Sequence, residues 1–187
     1  MQKTKNSEIT PDAASVITFW REAGPSLWFA KNTAFDETFR QRFLALHFAA
    51  ARREQDAWLS SPYASLALVL LLDQFPRNAF RGTAHMYATD SLARYYAQTL
   101  IDSGFMGSID DELKVFACVP FSHSESLDDQ AHALDLYTKH APRDMKWAVE
   151  HYEIIQRFGR FPHRNGQLGR LTTPEEQQFL DGGGFAG

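Results

Sequence analysis

A single cysteine, Cys118, stands in a chain of 187 residues, so no internal disulfide can form. It lies in the apolar run Val115-Phe-Ala-Cys-Val119 with no basic neighbour closer than Lys114, which makes it a small buried hydrophobe rather than a nucleophile. No apolar stretch reaches the roughly 18 residues that a membrane span needs, and Met1 to Glu8 is polar with no signal core. A cytoplasmic protein with no membrane partner is expected. Positive charge is not in excess either: 19 basic against 23 acidic residues give a net charge of −4, which argues against general nucleic-acid binding but leaves room for a local patch that holds a small anion.

Several chemical signatures are absent. There is no glycine-rich phosphate loop, since Gly182-Gly-Gly184 has no strand before it or helix after it and reads as a flexible tail. No Gly-x-Ser-x-Gly turn occurs, and Ser122 and Ser124, adjacent to His123, are poorly placed to act as its nucleophile. His123 and Glu125 are two apart, a spacing that splays them on a helix, so a metal site would need His151 or His163 brought in by the fold. No metal and no cofactor are expected.

What is present reads as helices with marked starts. Thr10-Pro11 begins one that buries Val16, Phe19, Trp20 and Ala23 and stops at Gly24-Pro25. Thr33 with Asp36 begins a longer one with a Phe35, Phe39, Phe43, Leu46 stripe, and helix initiation accounts for Asp36. Ser61-Pro62 opens the stretch Tyr63 to Leu72, apolar on nearly every face, which predicts a helix buried all round at the centre of the core. Pro76 and Gly82 are expected to end regular structure after it. Further helices are expected from Thr89 to Ser103, with Leu92, Tyr95, Tyr96 and Leu100 inward and Gly104 as the stop. A short one from Ser108 closes at Pro120, and the next opens at Ser122 to Glu125 and runs to His140 through Leu127, Ala131, Leu134 and Tyr137. One from Pro142 carries Met145, Ala148, Tyr152 and Ile155, and Thr173-Pro-Glu-Glu176 starts the last with a capping box. About eight helices and no alternating strand predict an all-α bundle. One domain over residues 1–187 is expected, with a polar tail at 1–9 and a glycine-rich tail at 181–187.

The chain is organised around Arg157-Phe-Gly-Arg-Phe-Pro-His-Arg-Asn165 and Leu168-Gly-Arg170. Arg157, Arg160, Arg164 and Arg170 fall within fourteen residues that contain His163 and no acid. Such charges either collect an anionic ligand or are neutralised by acids from elsewhere. Together with Leu72-Asp-Gln-Phe-Pro-Arg-Asn78, Phe80-Arg-Gly82, Ala88-Thr-Asp90, Pro120-Phe-Ser-His-Ser-Glu125 and Thr173-Pro-Glu-Glu176, this stretch resembles the bacterial family catalogued as domain of unknown function 924. The resemblance covers nearly the whole chain, from Phe19-Trp20 to Phe179-Leu180 and Gly184-Phe185. It implies an all-helical fold similar to tetratricopeptide-repeat proteins and brings no activity with it. The sequence itself has no self-similarity at a period near 34 residues.

The polar clusters fall at three helix junctions. Asp73, Arg77, Asn78 and Arg81 leave the central helix, His123 and Glu125 start another, and Arg157, Arg160, His163, Arg164, Asn165 and Arg170 follow a third. If the junctions meet, the guanidiniums suit bidentate anion recognition and His123 or His163 proton transfer. Three readings stay open. One is a helical binding module for a small anionic molecule or an acidic peptide. Another is an enzyme acting on a phosphate- or carboxylate-bearing small molecule with a histidine as acid or base. The third is a structural network in which Asp73, Asp90 and Glu125 pair with the arginines and the interaction surface lies elsewhere. A ligand site requires free guanidinium edges at Arg160 and Arg164 beside His163 or His123.

Overall fold

The computed structural model describes residues 9–187. The polar stretch 1–8 lies outside them, and Ile9, half-buried, already packs on the core. Among the described residues there are helices and turns and no strand. Helix α1 spans Pro11–Ala23, with Thr10 Oγ1 accepting from Ala13 N at 3.4 Å and proline at the first turn. After the single turn α2, Pro25–Trp28, comes α3, Thr33–Ala51. Its cap is Asn32, whose Oδ1 accepts from Phe35 N at 3.0 Å, not Thr33. Asp36 is thereby released from helix initiation for another partner. Phe19, Trp20, Phe35, Phe39 and Phe43 interlock between α1 and α3, with Phe19 and Phe39 stacked at 5.1 Å.

The apolar stretch forms α4, Pro62–Val69, one π-helical turn, Leu70–Gln74, and α5, Phe75–Ala79. Every residue from Ala64 to Leu72 is at most 3% exposed, so both faces are buried as its composition predicts. Helices α1, α6 (Asp90–Asp102) and α7 (Val115–Ser122) lie against α4. Each buried leucine there contributes about 1.5–3 kcal/mol. Helices α8 (Leu127–His140) and α9 (Met145–Phe158) follow α7 as an antiparallel hairpin, and α10 (Pro174–Asp181) packs on the turn Pro162–Arg164. No helix among the described residues is long and apolar enough to cross a membrane.

Prolines are where the structure departs from expectation. Pro76 does not end the central helix. It has no N–H for the Leu71 and Leu72 carbonyls behind it, and two side chains from outside take those carbonyls instead: His47 Nδ1 donates to Leu71 O at 2.8 Å and Thr89 Oγ1 to Leu72 O at 2.6 Å. Helical backbone then continues to Ala79. Pro120 likewise lies inside α7, which begins at Val115 rather than Ser108. The α8 start also moves: Ser126 is its cap, and Gln130, Ala133, Leu136 and Tyr137 face inward while Leu127 and Ala131 face solvent. On α6 the inward face is Ala93, Tyr96, Ala97 and Leu100, with Tyr95 exposed, and Gly104 stops it at a φ of 73°.

Cys118 is fully buried, and that burial pushes its thiol up to about 12. Thiol-reactive reagents are expected to label the native protein far more slowly than the urea-unfolded chain. Equal rates would place the sulfur at the surface.

Candidate functional site

The π-helical turn builds the site. Inserting one residue into the ladder turns Asp73 and Gln74 toward the junction where α7 ends, and single π turns of this kind recur at functional positions. Asp73 is completely buried. Its Oδ1 meets His123 Nδ1 at 2.8 Å and Arg77 Nη1 at 3.4 Å, and its Oδ2 accepts from Gln74 Nε2 at 2.7 Å. Burial opposes its ionisation, but Arg77 and His123 outweigh that and hold the carboxyl at about 2. Arg77 donates to both carboxylate oxygens of Asp90, at 2.8 and 3.0 Å, and to the Asp73 carbonyl at 2.7 Å. Arg77 is therefore neutralised twice over.

Arg164 is placed differently. Only 6% of it is exposed, its guanidinium makes no hydrogen bond among the described residues, and Nε is buried without a partner. Among the described residues its single ionic contact is Nη1 to Asp90 Oδ2 at 3.6 Å, too long for a hydrogen bond. The rings of Tyr87 and Phe161 pack against it, their centroids 4.6 and 4.3 Å from the guanidinium carbon, and offer its N–H groups no oxygen acceptor. Desolvation first, then Arg77, pull its pKa down to about 10.

Three histidines surround these groups. His123 closes α7 with Nδ1 engaged by Asp73 and Nε2 making no hydrogen bond; burial and then Arg77 lower its pKa against the pull of Asp73. His151 and His163 are held at about 3, chiefly by burial and secondly by the nearby charges of His123 and Arg164 respectively. Both therefore stay neutral at physiological pH, and the Nδ1 of each is buried without a partner. Arg77, Arg164, His123, His151 and His163 line one cleft of about 310 Å³. Trp28, Phe29, Trp147 and Phe185 form much of its apolar wall. Phe185 is not a free tail, for it packs edge-on against His151 at 4.7 Å and joins a small core with Ile154, Ile155 and Phe161.

The structure thus brings Asp73, Arg77, His123, His163 and Arg164 together. Asn78 and Arg81 also line the cleft, but both donate to Asp36, Asn78 Nδ2 at 2.7 Å and Arg81 Nε at 2.5 Å. The other predicted residues lie in the supporting loop. Glu125 takes Arg170 in a bidentate pair at 2.7 and 2.9 Å and accepts from Phe161 N at 2.8 Å. Arg160 pairs with Glu176 at 2.6 and 2.8 Å and donates to Leu171 O, so the free edge that a ligand role would need is absent. Asn165 donates to Glu176 at 3.2 Å, and Arg157 meets Glu175 on the surface. Gly159, at a φ of 68°, lets the chain leave α9 and turn into this loop.

Glu176 deserves its own test because it serves three purposes: it completes the Thr173 capping box, neutralises Arg160 and orients Asn165. Hydrogen bonding from Arg160 is the main reason its carboxyl sits at about 2. Glu176→Gln and Arg160→Gln are each expected to lower the urea midpoint, and the double variant less than their sum, which a double-mutant cycle measures. Additive losses would mean that the two side chains act independently.

Tyr87 and Trp147 escape the sequence reading, and Phe185 enters it only through the family resemblance. Trp147 carries one usable signal: it falls outside the Met145, Ala148, Tyr152, Ile155 stripe, and it is 43% exposed on the cleft wall. Among the described residues no three His, Cys, Asp or Glu side chains converge to hold a metal ion.

Fold and site together define an all-α protein whose helix junctions enclose an aromatic-walled cleft over a buried arginine, carboxylate and histidine array. The chain belongs to the family described as bacterial protein of unknown function (DUF924), whose model matches residues 16–184. A solved structure of a protein of unknown function, ATU0120 from Agrobacterium tumefaciens, is similar at 54% identity, with a TM-score of 0.88 over 91% of this chain and 97% of that one. No curated protein matches the chain.

Proposed function

We propose that the cleft binds a small anionic molecule, with Arg164 as its anchor. The observation that carries this reading is the open donor edge of Arg164, a buried cation whose one ionic contact is 3.6 Å long. Leaving such a group unpaired is costly, and an anion supplied from solution would satisfy it. A volume of about 310 Å³ lies at the small end of ligand sites, roughly 300–1,000 Å³, which favours a small molecule over an acidic peptide.

A specific observation favours a catalytic extension. Asp73 accepts from Nδ1 of His123, which fixes the tautomer and leaves Nε2 as a base on the cleft side. The cleft is thus also suited to an enzyme acting on a carboxylate- or phosphate-bearing small molecule, with His123 as the proton acceptor. The structural-network reading applies to Arg157, Arg160 and Arg170, each of which has its own carboxylate.

Arg164→Gln tests the anchor. Because Arg164 has no strong partner to orphan, the variant is expected to keep or raise the urea midpoint while losing the thermal shift that small carboxylates give the wild type. A large loss of stability would instead assign Arg164 to the scaffold.

A further inference from the structure

The cleft is strongly asymmetric, and that asymmetry bears on which anion it takes. Charge is concentrated in one region, where Arg77 and Arg164 face Asp73 and Asp90, while Arg81, also in the lining, is paired with Asp36. Those four groups already balance, and burial holds His151 and His163 beside them neutral. Much of the remaining wall is apolar: Trp28, Val115, Val119 and Met86 line it beside Gln74, Asn78, Ser122 and Tyr137, and Phe29 and Trp147 stand in it 61% and 43% exposed. Asp144, one turn before Trp147, is the one acid in the lining. Two large aromatic side chains left this exposed in a concave site lose apolar burial that a ligand would restore.

Resting on the anion-binding reading above, we infer that the ligand is a monocarboxylate carrying a flat apolar or aromatic body, its carboxylate on the edge of Arg164 and its body between Phe29 and Trp147. The guanidinium chooses the head group. With Tyr87 and Phe161 packed against it, its N–H groups have no hydrogen-bond partner among the described residues, and a planar carboxylate matches their fork. A phosphate dianion would bring two negative charges into a region whose own charges already cancel, and beside the carboxylates of Asp73 and Asp90. A carboxylate brings one. The apolar wall supplies the remaining affinity, since a buried phenyl group adds on the order of ten-fold or more in binding.

Phenylacetate, acetate, inorganic phosphate and 2-phenylethanol separate the contributions, read by calorimetry and by the fluorescence of Trp28 and Trp147. Phenylacetate is expected to bind at least about ten-fold more tightly than each of the other three. Arg164→Gln should abolish its binding, and Trp147→Ala should weaken it at least about five-fold while leaving acetate binding unchanged. Acetate or phosphate binding as tightly as phenylacetate would overturn the apolar-body inference and leave the anion reading intact. Phenylethanol matching phenylacetate, or no anion binding at all, would overturn both. Arg164→Lys serves as the second variant: it keeps the charge but not the fork, and undiminished phenylacetate binding would refute edge-on recognition.

Discussion

Asp73→Ala is expected to cost about 3–5 kcal/mol of folding stability, the largest effect of any single polar substitution in the site. Asp73 is wholly buried and receives three side chains, from Gln74, His123 and Arg77. Truncation leaves Arg77 with Asp90 alone, and Asp90 also faces Arg164. Two buried cations then share one carboxylate, and the Nδ1 of His123 loses its acceptor. Asp73→Asn keeps the shape and one acceptor oxygen, so a smaller loss is expected. Urea unfolding with an unchanged slope measures both variants. A midpoint within about 1 kcal/mol of the wild type for the alanine variant would mean that Asp90 suffices for both arginines.

Acid sensitivity is the second large effect. His151 and His163 sit at about 3 in the folded protein, against an ordinary value near 6.5, and burial lowers His47 and His123 as well. Below pH 6.5 the unfolded chain takes up protons that the folded protein refuses. Stability is therefore fully present above pH 6.5 and falls as pH drops toward 3, by up to about 1.4 kcal/mol per pH unit for each such histidine. The depressed carboxyls of Asp73 and Glu176 add their loss only below their ordinary values of 3.8 and 4.5. The interval from pH 6.5 to 4.5 thus isolates the histidines. In that interval His151→Gln is expected to flatten the slope of unfolding free energy against pH by about one proton. An unaltered slope would show that His151 does not resist protonation in the native state.

An anion bound as proposed would reverse this trend locally. A carboxylate on Arg164 would raise the proton affinity of His163 and His151, so ligand binding should itself protect the fold in mild acid.

Much of the architecture is legible from local chemistry. The Thr10-Pro11 and Thr173-Pro-Glu-Glu176 starts are read correctly because a cap and its donor lie within four residues. The all-round burial of Ala64 to Leu72 follows from composition, since a stretch with no polar face has nowhere to meet water, and only Tyr63 at its start stays partly exposed. The end misplaced at Pro76 has a long-range cause. Pro76 removes a donor locally, but the carbonyls it orphans are rescued by His47 and Thr89, 24 and 17 residues away from those carbonyls. No local rule sees that.

The same division runs through the site. Sequence alone determined that this is an all-α chain with an arginine-rich loop after its penultimate long helix, because helical periodicity and charge are properties of neighbouring residues. Tertiary structure decided which arginine is open. Arg160 and Arg164 are four residues apart and chemically identical, yet Glu176 folds back to neutralise the first while Tyr87 and Phe161 pack against the second and leave it without a hydrogen bond. Whether a charge is spent depends on which carboxylate the fold delivers to within about 3 Å of it. That is set by the packing of helices distant in sequence, not by the arginine or its neighbours.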